Sequence, residues 1–249
     1  LTSRRLIAVA GPDSAKFLQG IVTANLTAQD GQPRNDGFYA AFLTATGRVL
    51  YDVFIYPNHN ASAEEPGYLI EVDADQAQIL AKHIKRYKLR AKLTVRLLPE
   101  GEATVWHAWD DSNGVNWNSI VNSTKLALQD PRAPGLGYRF LQLDQNVPQV
   151  DLERSTEDAY TIRRYLNGIP EGQDEISREH SLPQETNMDI MNGIDFHKGC
   201  YVGQELTIRT RHRGVVRKRI LPCVVYEKEH APPTTLQYHT DATAASLES

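Results

Sequence analysis

A chain of 249 residues exceeds the usual single-domain size, so two or three units with separate cores are expected. Hydrophobic residues at 41% and charged residues at 23% describe an ordinary globular protein, and no apolar run approaches the roughly 20 residues of a membrane helix. The formal charge of −4 argues against general nucleic-acid binding while leaving room for one basic face. Two cysteines, Cys200 and Cys223, cannot staple a chain this long, and neither a CxxC pair nor a Cys/His cage occurs. A reducing compartment is therefore expected. The chain begins at Leu1 rather than Met, which suggests that a preceding segment, such as a targeting peptide, was cleaved or left out.

In chain order, Asp13 is a suitable N-cap for a short helix through Phe17 and Leu18, with Gly20 as its stop. Residues 38–43 and 49–56 read as strands joined by a hairpin turn at 44–47 that contains Gly47. Residues 58–67 read as loop and 68–72 as a short strand. Residues 75–87 form an amphipathic pattern, with Leu80, Ile84 and Tyr87 on one helical stripe. Leu93, Val95 and Leu97 alternate as a half-buried strand, and 104–108 reads as another. Strands around a helix in this mixed order predict an α+β unit with an antiparallel sheet.

The polar stretch 110–122 reads as a loop or hairpin tip. Ser155 with Asp158 resembles a capping box, ahead of a helix whose buried stripe is Ala159, Ile162 and Leu166 and which ends near Gly168. From Gln173 to Gly199 there is little periodicity, as in a long, ordered functional loop. Residues 221–226 read as a strand that buries Cys223, followed by a tail rich in Pro, Thr, Ala and Ser.

The run His197-Lys198-Gly199-Cys200-Tyr201-Val202-Gly203-Gln204-Glu205 holds one of the two cysteines and starts a basic stretch. Between His197 and Arg219 seven Lys/Arg face a single acid, Glu205. A thiol among cations is biased toward the thiolate, which attacks electrophiles and binds metals. The flanking Gly199 and Gly203 allow a ligand or partner to approach the backbone closely. A buried, inert thiol is the alternative. His197, three residues before Cys200, is a candidate base or ligand, while Lys198, Gln204 and Glu205 are expected to shape the loop. Arg209, Arg211 and Arg213 alternate with Thr and His, which puts them on one face if the segment is a strand. Such a face is either solvated or a site for an anion or an acidic partner.

These residues resemble the signature of the YgfZ-type folate-binding proteins, relatives of the glycine-cleavage T-protein (aminomethyltransferase). The eukaryotic branch of that family comprises mitochondrial iron–sulfur cluster assembly factors. Further blocks match in order: Phe17-Leu18-Gln19-Gly20 with Thr23, Gly47-Arg48-Val49-Leu50, Arg86-Tyr87-Lys88-Leu89-Arg90, residues 163–170 and Leu182-Pro183-Gln184-Glu185-Thr186-Asn187. The resemblance implies an α+β, T-protein-like fold. Its expected division is an interlaced folate-binding-like core (1–48 with 150–215), an α+β ferredoxin-like subdomain (49–149) and the start of a short or partial C-terminal β-barrel (216–249).

It further implies a matrix protein acting late in [4Fe–4S] maturation, with Cys200 sharing a [2Fe–2S] cluster with an A-type scaffold protein. A monomer before complex formation and no membrane insertion are expected. Tetrahydrofolate is the implied small ligand, held by Glu185 and Asn187, with Asp52 and Tyr87 as further candidates. T-proteins carry paired acids after the hairpin turn, whereas this chain has Tyr51-Asp52. Aminomethyl transfer is the rival activity, and that replacement weakens it.

Overall fold

Five strands form the main sheet of the computed structural model, which describes residues 1–28, 30–58, 67–112, 114–118, 121, 126–143 and 152–236. They are β1 (Arg4–Ala10), β2 (Phe38–Leu43), β3 (Val49–Asn58), β4 (Gly67–Asp73) and β5 (Thr94–Leu97). All neighbours pair antiparallel, in the order β2-β3-β4-β1-β5. β2 is buried throughout and β3 almost so, because both faces of the sheet are covered. A second, smaller sheet orders β6 (Thr104–Ala108), β8 (Tyr138–Gln142) and β7 (Ala127–Gln129) as β6-β8-β7.

The helix α1 (Ser14–Gln19) starts after Asp13, as the sequence predicts. The Asp13 carboxylate makes no cap bond to the helix; it accepts instead from the Lys92 backbone N–H at 2.7 Å. A single turn at Ala74–Gln76 leads into α2 (Ala77–Tyr87). Ala77, Leu80, Ala81 and Ile84 of α2 pack on one sheet face with Ile7, Val9, Phe42 and Tyr51. Tyr87, expected on that stripe, is 38% exposed and stacks on His83 with ring centroids 4.5 Å apart. Beyond Lys88, Leu89 has φ 44°, the left-handed conformation that a glycine normally supplies at a helix end. For a leucine it costs about 1–2 kcal/mol.

The hairpin β2–β3, β4 and β6 fall where the alternation of the sequence puts them. β7 and β8 were not legible: they are short, and Arg139 interrupts the apolar run of β8. Of the expected loop 58–67, residues 59–66 lie outside the described residues. So do 113, 119, 120 and 122 of the expected loop 110–122. Within that stretch Trp117 stacks on Tyr138 at 4.5 Å.

The helix α3 (Glu157–Leu166) is capped by Thr156, not Ser155: the Thr156 hydroxyl accepts from the Ala159 N–H at 3.2 Å. Its buried residues are Tyr160 and Arg164, whereas Leu166 is exposed. The expected apolar stripe is thus rotated outward, because a polar pair of side chains enters a buried network of charges. In that network Arg139 donates to Glu71 at 2.8 Å and to the Tyr160 hydroxyl at 2.6 Å. Arg132 donates to Asp130 and Glu171, both at 2.7 Å, and Tyr160 donates to Glu171 at 2.7 Å.

Residues 173–203 contain turns but no strand or helix, as the lack of periodicity over 173–199 predicts, and α4 (Gln204–Arg213) follows. Two expectations fail beyond it. Residues 221–226 form no strand, and Cys223 is exposed, because this segment finds no strand partner among the described residues. No strand occurs in 216–236, and 237–249 lie outside the described residues. The boundary expected between 48 and 49 falls at the turn of the β2–β3 hairpin, whose two strands share one sheet.

Candidate functional site

The segment 193–203 lies against the loop after α1 and is tied to it on both sides of Cys200. On one side the Asp195 N–H donates to the Thr23 carbonyl at 3.0 Å, and the buried Thr23 hydroxyl donates to the Gly193 carbonyl at 2.6 Å. On the other side the Val202 N–H donates to the Gly20 carbonyl at 3.1 Å. Between them the Lys198 ammonium donates to three backbone carbonyls, of Gln19 (2.8 Å), Val22 (2.7 Å) and Ala24 (2.9 Å). Its stem crosses the Tyr201 ring, with Nζ 5.0 Å from the centroid. Burial pushes the Lys198 ammonium down to about 7, and the nearby Asp195 works against that shift.

Tyr201 is buried, and the loss of water around its phenol raises it to about 12. Gly203 then turns the chain into α4 with φ 82°; a Cβ there would lie 2.3 Å from the Thr44 carbonyl oxygen. Gly47 of the β2–β3 turn is as constrained, since its Cβ would lie 2.8 Å from Leu206 Cβ. The two glycines let the hairpin turn and the start of α4 touch. Gln204 accepts from the Tyr201 N–H at 3.2 Å, and Gln184 reaches the Thr207 carbonyl at 2.9 Å.

What this frame leaves outside is short. Gly199 and Cys200 are exposed, and nothing lies within 4 Å of where a Gly199 Cβ would be. The His197 imidazole is 98% exposed and 4.0 Å from Asp195. Glu205 is exposed in the first turn of α4, where an acid suits the helix dipole.

Arg209, Arg211 and Arg213 are exposed, but on a helix rather than a strand. Their alternation with Thr and His imitates a strand, yet the stretch between Gly203 and Gly214 holds no helix breaker and closes into α4. Arg209 and Arg213, four residues apart, therefore share one face of the helix, and Arg211 turns to the opposite side. Arg211 lies over the Phe196 ring at 5.1 Å. Arg219 is taken by Asp189 at 2.5 Å.

Among the described residues no group of three or more His, Cys, Asp or Glu is placed to hold a metal ion. Cys200 can give one thiolate; an iron–sulfur cluster takes about four protein ligands. Any cluster here would be cargo whose remaining ligands come from elsewhere.

The four folate candidates are distributed rather than gathered. Glu185 and Asn187 meet where the chain crosses at Ile220: the Glu185 carbonyl accepts from the Ile220 N–H at 3.1 Å, and Asn187 Nδ2 donates to the Ile220 carbonyl at 2.7 Å. Asn187, with Met191, Arg219 and Ile220, lines a cavity of ≈ 880 Å³ that does not include the other three candidates. Tyr51 faces His83 and α2, so Asp52 points to the opposite face of the sheet. There Asp52 is fully buried, accepts from the Gly172 N–H at 3.1 Å and lies 3.8 Å from Arg4. Burial raises the Asp52 carboxyl, with Arg4 opposing. Tyr87 is on the outer side of α2.

The fold defines the class. It matches the glycine cleavage system aminomethyltransferase T of Bartonella henselae with a TM-score of 0.61 over 86% of this chain and 62% of that one, at 15% identity. No family model matches the chain. The sequence is 59% identical over 243 residues to a Pyricularia oryzae protein named iron–sulfur cluster assembly factor IBA57 homolog, mitochondrial, covering 97% of this chain and 60% of that one. Proteins of the same name from Chaetomium globosum and Neurospora crassa are 54% and 52% identical, over 91% and 93% of this chain and 55% and 54% of theirs. The chain thus spans 54–60% of the length of these relatives. By sequence and fold together it belongs to the YgfZ/T-protein family, in the mitochondrial branch that its fungal relatives occupy.

Proposed function

We propose that this chain is the part of a mitochondrial iron–sulfur cluster assembly factor that carries its cluster-contacting cysteine. Acting late in [4Fe–4S] maturation in the matrix, it pairs with an A-type scaffold, and Cys200 joins a [2Fe–2S] cluster held by that partner. The observation that carries this reading is the exposed Cys200, borne on a segment whose two flanks are fixed to the loop after α1 by backbone hydrogen bonds. In the joining step the Cys200 Sγ–H proton goes to solvent, an Fe–S bond forms, and one partner ligand leaves the iron. No electron moves. The cations of α4 draw an acidic partner toward the loop.

The test mixes the purified chain with an A-type scaffold carrying [2Fe–2S] and follows visible absorption and complex mass. A heterodimer that retains the cluster, and that Cys200→Ser abolishes, is expected. Absence of the complex, or an unchanged Ser variant, removes Cys200 from this role.

Tetrahydrofolate is a second ligand in this reading, with the Asn187 cavity as its place. Titration with tetrahydrofolate should weaken at least tenfold in Asn187→Ala and less in Glu185→Ala, since Glu185 lies outside the lining of that cavity. The rival reading, a one-carbon transferase, requires Asp52 to reach a substrate. Its complete burial beside Arg4 supports the assembly role over that one.

A further inference from the structure

The outer side of α2 and the turn after it make a surface that the Cys200 loop does not use. From Gln76 to Pro99 the sequence contains no acid, and residues 82–92 hold six cations, in a chain whose net charge is −4. Lys88 is engaged inside the fold, donating to the Leu93 carbonyl at 2.5 Å. Lys82, Lys85, Arg86, Arg90 and Lys92 are exposed. Arg96, beyond them, is taken by Glu102. The acid that touches the patch, Asp13, accepts from the Lys92 backbone and is not paired with its ammonium.

Large apolar side chains stand among these cations. Ile79 is 43% exposed, Tyr87 38% and Leu89 85%. Ile79, Lys82 and Arg86 recur at helical spacing on the side of α2 opposite its buried residues. Leu89 is the most telling of them. Its backbone is in a conformation that glycine adopts freely, and its side chain packs on nothing in the core. Neither helix termination nor core packing calls for a leucine there.

We propose that this surface adsorbs to an anionic lipid bilayer, with the cations on headgroup phosphates and Leu89, Tyr87 and Ile79 at the acyl boundary. Lysine and arginine near such a surface are each attracted to it, and interfacial helices combine a cationic rim with buried apolar side chains. A protein interface has a contiguous apolar core inside a polar rim. Here the apolar residues are interspersed with cations, which suits a fluid surface that offers phosphate and hydrocarbon at every point. No helix among the described residues is long and apolar enough to cross a membrane, so the contact is peripheral. The proposal is independent of the role of Cys200.

The experiment is flotation of the purified chain with vesicles of phosphatidylcholine containing cardiolipin, against phosphatidylcholine alone, at low and high salt. Binding to the anionic vesicles only, lost at high salt, is expected. Leu89→Gly should fold at least as well as the parent, read from its melting temperature, yet bind about tenfold more weakly, a change worth about 1.4 kcal/mol. Lys85→Glu with Arg86→Glu should abolish flotation while leaving the circular dichroism spectrum unchanged. Excess glycerol phosphate should not compete, since a bilayer rather than a free phosphate is bound. Equal binding to neutral vesicles, full binding by the charge-reversed variant, or binding to polyglutamate but not to vesicles would each overturn the proposal. The last outcome would assign the surface to an acidic protein.

Discussion

Lys198 donates to three carbonyls from one ammonium at the end of a buried stem, a geometry that a guanidinium fork does not match. Lys198→Met keeps the stem and strips the donors, leaving carbonyls of Gln19, Val22 and Ala24 without them. An orphaned buried group costs about 1–3 kcal/mol, so urea unfolding should show a loss of that order. Maleimide should also label Cys200 several-fold faster in this variant, and Lys198→Arg should restore neither property. Gly203→Ala tests the other flank. Its φ of 82° and the 2.3 Å approach to Thr44 predict a loss of more than about 1–2 kcal/mol by the same measurement. The sequence makes Cys200 and its glycines conspicuous by their type and spacing. That Lys198 points inward while His197 points outward depends on the partner loop, which is 174–179 positions away in the chain.

At the scale of elements, α3 holds the N-terminal strand through its first turn. Glu157 accepts from the Thr2 hydroxyl at 2.6 Å, from the Thr2 and Ser3 backbone N–H groups at 3.1 and 2.9 Å, and from the Ser3 hydroxyl. Burial works upward on this carboxyl, but the hydroxyl and backbone donors of Ser3 and Thr2 outweigh it and hold it at about 2. The folded value lies below the unfolded one, so the stabilisation is complete above pH about 4.5 and is lost as pH falls through about 2. Glu157→Gln should therefore be less stable than the parent at pH 6. The gap should narrow steadily as unfolding is measured at pH 4 and then pH 3. β2, β3 and α2 were readable because an apolar run or a 3.6-residue period survives in them whatever they pack against. The strand expected at 221–226 has the right composition but no neighbour among the described residues. α4 was masked by its alternating arginines.

Across the whole molecule, the buried charges between the sheets join β1, β3, β4, β8 and α3. Arg4, Glu71, Arg139, Arg132, Asp130 and Glu171 are all buried there. Arg139→Met leaves Glu71 without its main partner, and breaking such a pair costs about 3–5 kcal/mol, measurable as an earlier denaturant midpoint. A faint signal of this network exists in the sequence, in single charged residues set inside apolar strands at Glu71 and Arg139. Their pairing is invisible there, since they stand 68 positions apart. The sequence by itself determined the antiparallel α+β architecture, the family and the position of the candidate cysteine, because side-chain periodicity and a compact motif are local. Only the tertiary structure decided which charges are buried, that Asp52 is closed off beside Arg4, and that Cys200 stands in solvent on a fastened loop. Burial, ion pairing and exposure arise from contacts between segments far apart in the chain, and no local pattern encodes those distances.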